Sequence, residues 1–200
     1  MKLLFTSLLL ISLFAGFTLN SPDNAIKAKI GVMKKSGDDV KKAKSNDNAL
    51  AGDEVRVFVV PENDCYVYVV FNDGKSAVLL TTKYVSAKKA LILPGEKNFY
   101  KFDKNSKTGE FFVYCSSEKM GEIDKIFKGK SSINSSDWKT VASKIENENK
   151  ESVSDDADKP ITMAGNVRGA NVSNEQFQKT LQSFSGKSMI IKKYIFSVKI

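Results

Sequence analysis

Residues 55–80 read VRVFVVPENDCYVYVVFNDGKSAVLL, and this stretch decides the fold. Val55, Val57 and Val59 alternate with Arg56 and Phe58, the two-residue period of a strand with one face on a core. Pro61-Glu62-Asn63-Asp64 is a turn, and Cys65 to Phe71 is a second strand. Asn72-Asp73-Gly74 then marks a tight hairpin, because such turns need positive φ, where Asn, Asp and Gly are least strained. Ala77 to Leu80 returns as a third strand.

The pattern carries on outward. Leu91-Ile92-Leu93 stops at the turn pair Pro94-Gly95, and Phe99 to Phe102 and Glu110 to Cys115 flank a polar loop, Asp103 to Gly109. Six short strands at this spacing predict a mostly β chain, an antiparallel β-sandwich of immunoglobulin-like type rather than a parallel α/β sheet. The period then changes. Met120, Ile123, Ile126 and Phe127 fall on one helical face, with Ser116 or Ser117 as cap and Gly129 as stop. Trp138, Val141, Ala142 and Ile145 predict a second short helix after Ser135. Ser173 with Gln176 forms a capping box, and Phe177, Leu181 and Phe184 are helix-spaced behind it. From Ser188 to Ile200, Ile190, Tyr194, Phe196, Val198 and Ile200 share one face; a strand this apolar must be paired, so it closes the domain. Residues 26–48 are Lys-rich and read as a leading strand, Ile26 to Met33, or as a loose arm. Residues 146–160 carry acids and no apolar face, the pattern of a mobile loop.

At the start, Lys2 precedes an apolar run from Leu3 to Leu19, and Asn20-Ser21-Pro22-Asp23-Asn24 follows. This is the order of a secretory signal peptide over 1–20, with cleavage between Gly16 and Ala25. The alternative is an uncleaved anchor, for which seventeen residues is the short limit; only in that form would the chain contact a membrane. The expected organisation is therefore a signal peptide and one β-rich domain over 26–200, placed outside the cytoplasm: periplasmic, cell-surface or secreted.

Composition narrows the chemistry. The formal charge is +8, but the basic residues are Lys except for Arg56 and Arg168. Arg is the usual residue for forked phosphate contacts, so nucleic acid is not an expected partner. There is no His, which removes the commonest general base and metal ligand together. Ser86–Lys89, Ser116–Lys119 and Ser136–Lys139 have the spacing of a Ser/Lys nucleophile, a chance frequency in so Lys-rich a chain, and its companion motifs are absent. Asp155, Asp156 and Asp158 lack the calcium-loop spacing, and two Cys fifty positions apart do not make a zinc site. No metal, cofactor or catalytic residue is expected.

Some of these segments carry a likeness to a known family. Ala51-Gly52-Asp53-Glu54-Val55 through Cys65-Tyr66-Val67-Tyr68-Val69, then Leu93-Pro94-Gly95, then Thr108-Gly109-Glu110 before a strand ending Cys115-Ser116-Ser117, resemble the bacterial domain-of-unknown-function family DUF-4384 over about residues 50–127. Where that family often has a Phe-Pro-like step after its third strand, this chain has Leu79-Leu80-Thr81-Thr82. The resemblance implies an exported or accessory β-domain, sometimes joined to peptidase-like or envelope-associated modules. It implies no catalytic residues.

Strand alternation sorts the remaining candidates by face. Cys65, Val67, Val69 and Phe71 point one way with Phe111, Val113 and Cys115; Tyr66, Tyr68, Phe112 and Tyr114 point the other. The aromatic set is either an exposed platform for an envelope protein or polysaccharide, or the seat of the helices bearing Ile123, Phe127 and Trp138. Cys65 and Cys115 form a disulfide if the fold brings their strands together, and are otherwise two buried thiols. The function expected is non-catalytic: binding, or an accessory role in the envelope or secreted space. The rivals are a structural subunit docking a larger envelope complex and a His-free glycosidase using paired carboxylates.

Overall fold

The valine alternation around Val57 builds β4 (Glu54–Pro61), and the Lys-rich start of the domain supplies its partner, β1 (Ile26–Ser36). The computed structural model describes residues 25–149 and 172–199; the expected signal segment and residues 150–160 of the expected acidic loop lie outside them. In the first sheet β1 pairs with β4 on one side, and with β2 (Asp39–Lys42) and β11 (Gln182–Gly186) on the other. The far side of β4 carries β7 (Leu91–Leu93) and β8 (Tyr100–Lys101). The second sheet runs β10 (Ser132–Asn134), β6 (Ser76–Val85), β5 (Cys65–Asn72), β9 (Thr108–Ser116), β12 (Met189–Lys199), β3 (Asn46–Leu50). The Asn72-Asp73-Gly74 turn joins β5 to β6, with Gly74 at φ +88° and Asp73 Oδ1 accepting from Ser76 N at 2.7 Å.

One apolar core joins the inward faces of both sheets. Ile30, Val32, Val57 and Val59 come from the first sheet, and Val67, Val69, Phe111, Val113, Tyr194 and Phe196 from the second. The chain is thus mostly β, with two six-stranded sheets and three helices among the described residues. The closing strand is present and is inserted between β9 and β3 rather than laid on an edge.

Several expectations need correction. The pairing is not wholly antiparallel: β3 runs parallel to β12, Ile195 facing Asn46. The first helix, α1 (Gly121–Phe127), has Met120 at its N-cap rather than Ser116 or Ser117. Its start is held from another element: the Tyr68 hydroxyl accepts from Met120 N at 2.9 Å and donates to Asp124 Oδ2 at 3.5 Å. Residues 146–148 are the last turn of α2 (Ser135–Glu148), not loop, because Ile145 is still buried and Asn149 N bonds to its carbonyl at 3.2 Å. The helix behind Ser173 is short, α3 (Asn174–Gln178), although its capping box is as expected. Phe184 lies in β11, whose backbone pairs with β1, so tertiary pairing overrides the helical spacing.

Each sheet has a covered outer face. On the first, Phe177 of α3 packs on Phe58, ring centroids 4.8 Å apart, and Leu181 lies over Gly31. A Cβ at Gly31 would stand 2.7 Å from Leu181 Cδ2, so a larger residue there would make the end of the Leu181 side chain shift. Arg56 closes the arrangement: its guanidinium stacks 3.8 Å from the Phe99 ring, Nε donates to Asn98 O at 2.9 Å, and Nη1 donates to Asn174 Oδ1. On the second sheet, α1 and α2 cover Tyr68, Val70, Phe112 and Tyr114. Trp138 centres this layer, edge-on to Phe112 at 5.3 Å and to Tyr114 at 6.2 Å.

That layer has a pH signature. Among the described residues the buried Tyr114 hydroxyl and Trp138 Nε1 have no hydrogen-bond partner. Burial, with Glu146 adding to it, holds the Tyr114 phenol well above its ordinary value; burial raises Tyr194 and Tyr68 also. A raised folded-state value means stability that is complete below the unfolded phenol's pKa of about 10 and is lost as pH climbs beyond it. The melting temperature is expected to fall above about pH 10. Tyr114→Phe should blunt that fall and leave neutral-pH stability no lower, since an unpaired buried hydroxyl contributes nothing to keep. Thermal melts of both proteins at neutral and alkaline pH check this.

Candidate functional site

The aromatic face, expected either as an open platform or as the seat of the helices, divides in two. Tyr68, Phe112 and Tyr114 are buried, at 0%, 1% and 0% exposure, because Ile123, Phe127 and Trp138 of the two helices sit on them. They are core, the seat of the helices, so of the two alternatives the four-residue open platform is the one corrected. Tyr66 stands at the margin of the helical cover and packs against it. It is only partly buried and lies directly across the β5–β6 ladder from Tyr84, which is 58% exposed. The two rings meet edge-on, with centroids 5.0 Å apart and an interplanar angle of 63°.

This pair is fixed from both sides. The Tyr84 hydroxyl donates to Asp64 Oδ2 at 3.2 Å, and Asp64 Oδ1 accepts from Ala87 N at 2.7 Å, tying the ring to the turn before β5. The Asp64 charge raises the Tyr84 phenol above its ordinary value. On the other side Lys119 Nζ lies 5.9 Å from the Tyr66 ring centre, in the range of a cation–π contact.

The strand register extends the surface. Tyr84 faces Tyr66, Tyr66 faces Ser116, and Ser116 faces Met189, so one lateral row crosses β6, β5, β9 and β12 on the helix side of the sheet. Where the row passes the start of α1 and the end of α2 there is a cleft of about 350 Å³. Ser116, Ser117, Ser188 and Asn149 bring hydroxyls and an amide to it, Glu118 and Lys119 bring opposite charges, and Met189 and Ile145 bring apolar surface.

The cleft's groups are arranged for contact. Glu122 and Glu148 both bind Lys144 Nζ, the second at 3.7 Å, so these two carboxylates converge on an ammonium group. Of the three Ser-x-x-Lys matches, Ser116 and Lys119 do line the cleft, but Ser116 Oγ accepts from Glu118 N at 3.2 Å while the Lys119 ammonium stands over Tyr66. Among the described residues no group of three acidic or sulfur side chains is placed to hold a metal ion.

The two cysteines are brought together. Cys65 and Cys115 lie on the neighbouring strands β5 and β9, both buried in the core between the sheets, and both are thiols in this structure. Sequence reasoning missed Tyr84. Its strand was expected to stop at Leu80, and the bulge that shifts register between Val69 and Val70 hides the alternation that continues to Val85. The four β-branched or aromatic residues Thr81, Thr82, Tyr84 and Val85 were the available signal. Set against protein families, curated proteins and solved structures, the chain finds no match.

Proposed function

We propose that this chain is a non-catalytic binding module of the cell envelope or secreted space, and that it holds a polysaccharide on the Tyr84–Tyr66 row and the adjoining cleft. The observation that carries the reading is Tyr84, the one large aromatic side chain that stays more than half exposed among the described residues, at 58%. A tyrosine ring offers a flat apolar face to a sugar ring and a polar tip to its hydroxyls. Beside it the serine hydroxyls, Asn149 and Glu118 supply the donors and acceptors that a sugar needs for orientation. The likeness to DUF-4384 and the signal-like first twenty residues support the location. The architecture assigned with this function is an immunoglobulin-like sandwich, supported by the core shared between the two sheets.

The test is cosedimentation with purified insoluble cell-wall polysaccharide. Tyr84→Ala is expected to weaken binding about tenfold or more, the usual effect of losing an aromatic anchor. Stability should fall by only about 1 kcal/mol, since the losses are a cross-strand surface pair and one exposed hydrogen bond to Asp64. Equal binding by wild type and variant, or binding by neither, overturns the polysaccharide reading.

One observation favours docking to a larger envelope protein instead. β10 covers only Ser76 to Val78 of β6, which leaves the outer edge of Leu79 to Val85 without a strand partner among the described residues. Such an edge accepts an added strand from another chain. Recovery of one envelope protein with the wild type and not with Tyr84→Ala, in the absence of polysaccharide binding, would select this second reading.

A further inference from the structure

We propose that Cys65 and Cys115 are a disulfide-forming pair, joined when the chain folds under oxidising conditions, with the present structure showing the dithiol form. They are the chain's two cysteines, fifty positions apart, and the fold sets them side by side. Val67 faces Cys115 across the β5–β9 ladder, so Cys65 is the diagonal neighbour of Cys115 on the same inward face. Both are 0% exposed and belong to the same core cluster. Diagonal Cα atoms start about 7–8 Å apart, and a disulfide holds them within about 6.8 Å, so closure asks for a shift of about 1 Å. The shift falls where the ladder can give. Its last rung is Tyr66 to Ser116, so Cys65 has no β9 pairing to lose.

The sulfurs already act on one another. The contact with Cys115 draws the Cys65 thiol down from its ordinary value, and the contact with Cys65, with burial added, holds Cys115 well above it. The thiolate of one cysteine displaces one thiolate from a small disulfide oxidant, giving a mixed disulfide. The thiolate of the other then attacks the cysteine sulfur of that mixed disulfide and releases the second oxidant thiolate. Two protons leave the pair, and two electrons reduce the oxidant to two thiols. Because both sulfurs end beneath the first sheet, exchange precedes closure of the two sheets, and the finished bond is shielded from reductants afterwards.

The experiment refolds the full chain with oxidised glutathione, confirms the fold by near-ultraviolet circular dichroism, and counts thiols in denaturant without reductant. No reactive thiol in the monomeric chain is expected, and two after reduction. Two reactive thiols in the refolded chain, or glutathione retained on either cysteine, overturns the proposal. So does a cross-linked chain lacking the native spectrum. Cys65→Ser should lower the melting temperature nearly as much as the Cys65→Ser/Cys115→Ser double variant, because either removes the one shared link and the double variant adds only a second buried hydroxyl. Cys65→Val, which keeps the site apolar, should show the same loss relative to the oxidised wild type but match the reduced wild type. A Cys65→Val protein that melts with the oxidised wild type also overturns it.

Discussion

Removal of residues 188–200 is expected to leave a chain that does not fold. β12 lies inside the second sheet, with nine residues facing β9, from Met189 opposite Ser116 to Ser197 opposite Thr108, and it also carries β3. Its loss opens a long apolar edge on β9 and strands β3 altogether. It also removes Ile190, Tyr194 and Phe196 from the core. Each such side chain contributes about 1.5–3 kcal/mol by burial, and the three together approach the whole stability of a typical domain, about 5–15 kcal/mol. Circular dichroism and thermal denaturation of the truncated chain decide the matter. A soluble product with an unchanged transition would show that the strand is dispensable.

Lys34→Ala is expected to be the most damaging single substitution of a polar residue. Lys34 sits on the inward face of β1 with its side chain 3% exposed, among residues otherwise apolar. Its ammonium pairs with Asp47 Oδ1 at 3.1 Å and donates to the Asn48 carbonyl. Lys34 belongs to the first sheet and Asp47 and Asn48 to the second, so this contact ties the two sheets together at one end. Truncating the lysine leaves the Asp47 carboxylate, at 18% exposure, and the Asn48 carbonyl without their cation. Breaking a buried pair from one side destabilises by about 3–5 kcal/mol, and the lower end applies because Asp47 keeps some water. Adding Asp47→Ala should recover part of the loss, since the orphaned charge is then gone as well. Denaturant titrations of the two single variants and the double variant measure it; a loss under about 1 kcal/mol for Lys34→Ala would contradict the role.

Much of the fold was legible because period and turn chemistry agreed. The alternation from Val55 to Val59 and from Cys65 to Phe71, with Asn72-Asp73-Gly74 between Phe71 and Ala77, allowed Cys65–Phe71 to pair with Val55–Val60 or with Ala77–Leu80, and β5 takes the second, pairing with β6, while β4 pairs with β1. The helical spacing of Trp138, Ala142 and Ile145 was equally direct. The strands that escaped are those without a pattern of their own. β3 reads Asn46-Asp47-Asn48-Ala49-Leu50, residues of low strand propensity with only Ala49 buried, and exists because β12 offers it an edge. β10 is three residues long and pairs with the start of β6 for the same reason. The aromatic face was legible as a face, since Tyr66, Tyr68, Phe112 and Tyr114 do share one side of the sheet. Its fate depended on where α1 and α2 end along the sheet, which is a tertiary matter. Tyr66 is only partly covered, and Tyr68, two residues on, is fully buried.

The most direct test is a tyrosine nitration footprint of the native protein, read residue by residue by mass spectrometry with and without saturating cell-wall polysaccharide. Tyr84 should be modified in the free protein and protected by the polysaccharide, while Tyr68, Tyr114 and Tyr194 stay unmodified in both. Modification of Tyr84 that is unchanged by the polysaccharide would contradict the assignment of the binding surface, and modification of Tyr68 or Tyr114 in the native protein would contradict the helical cover that defines it.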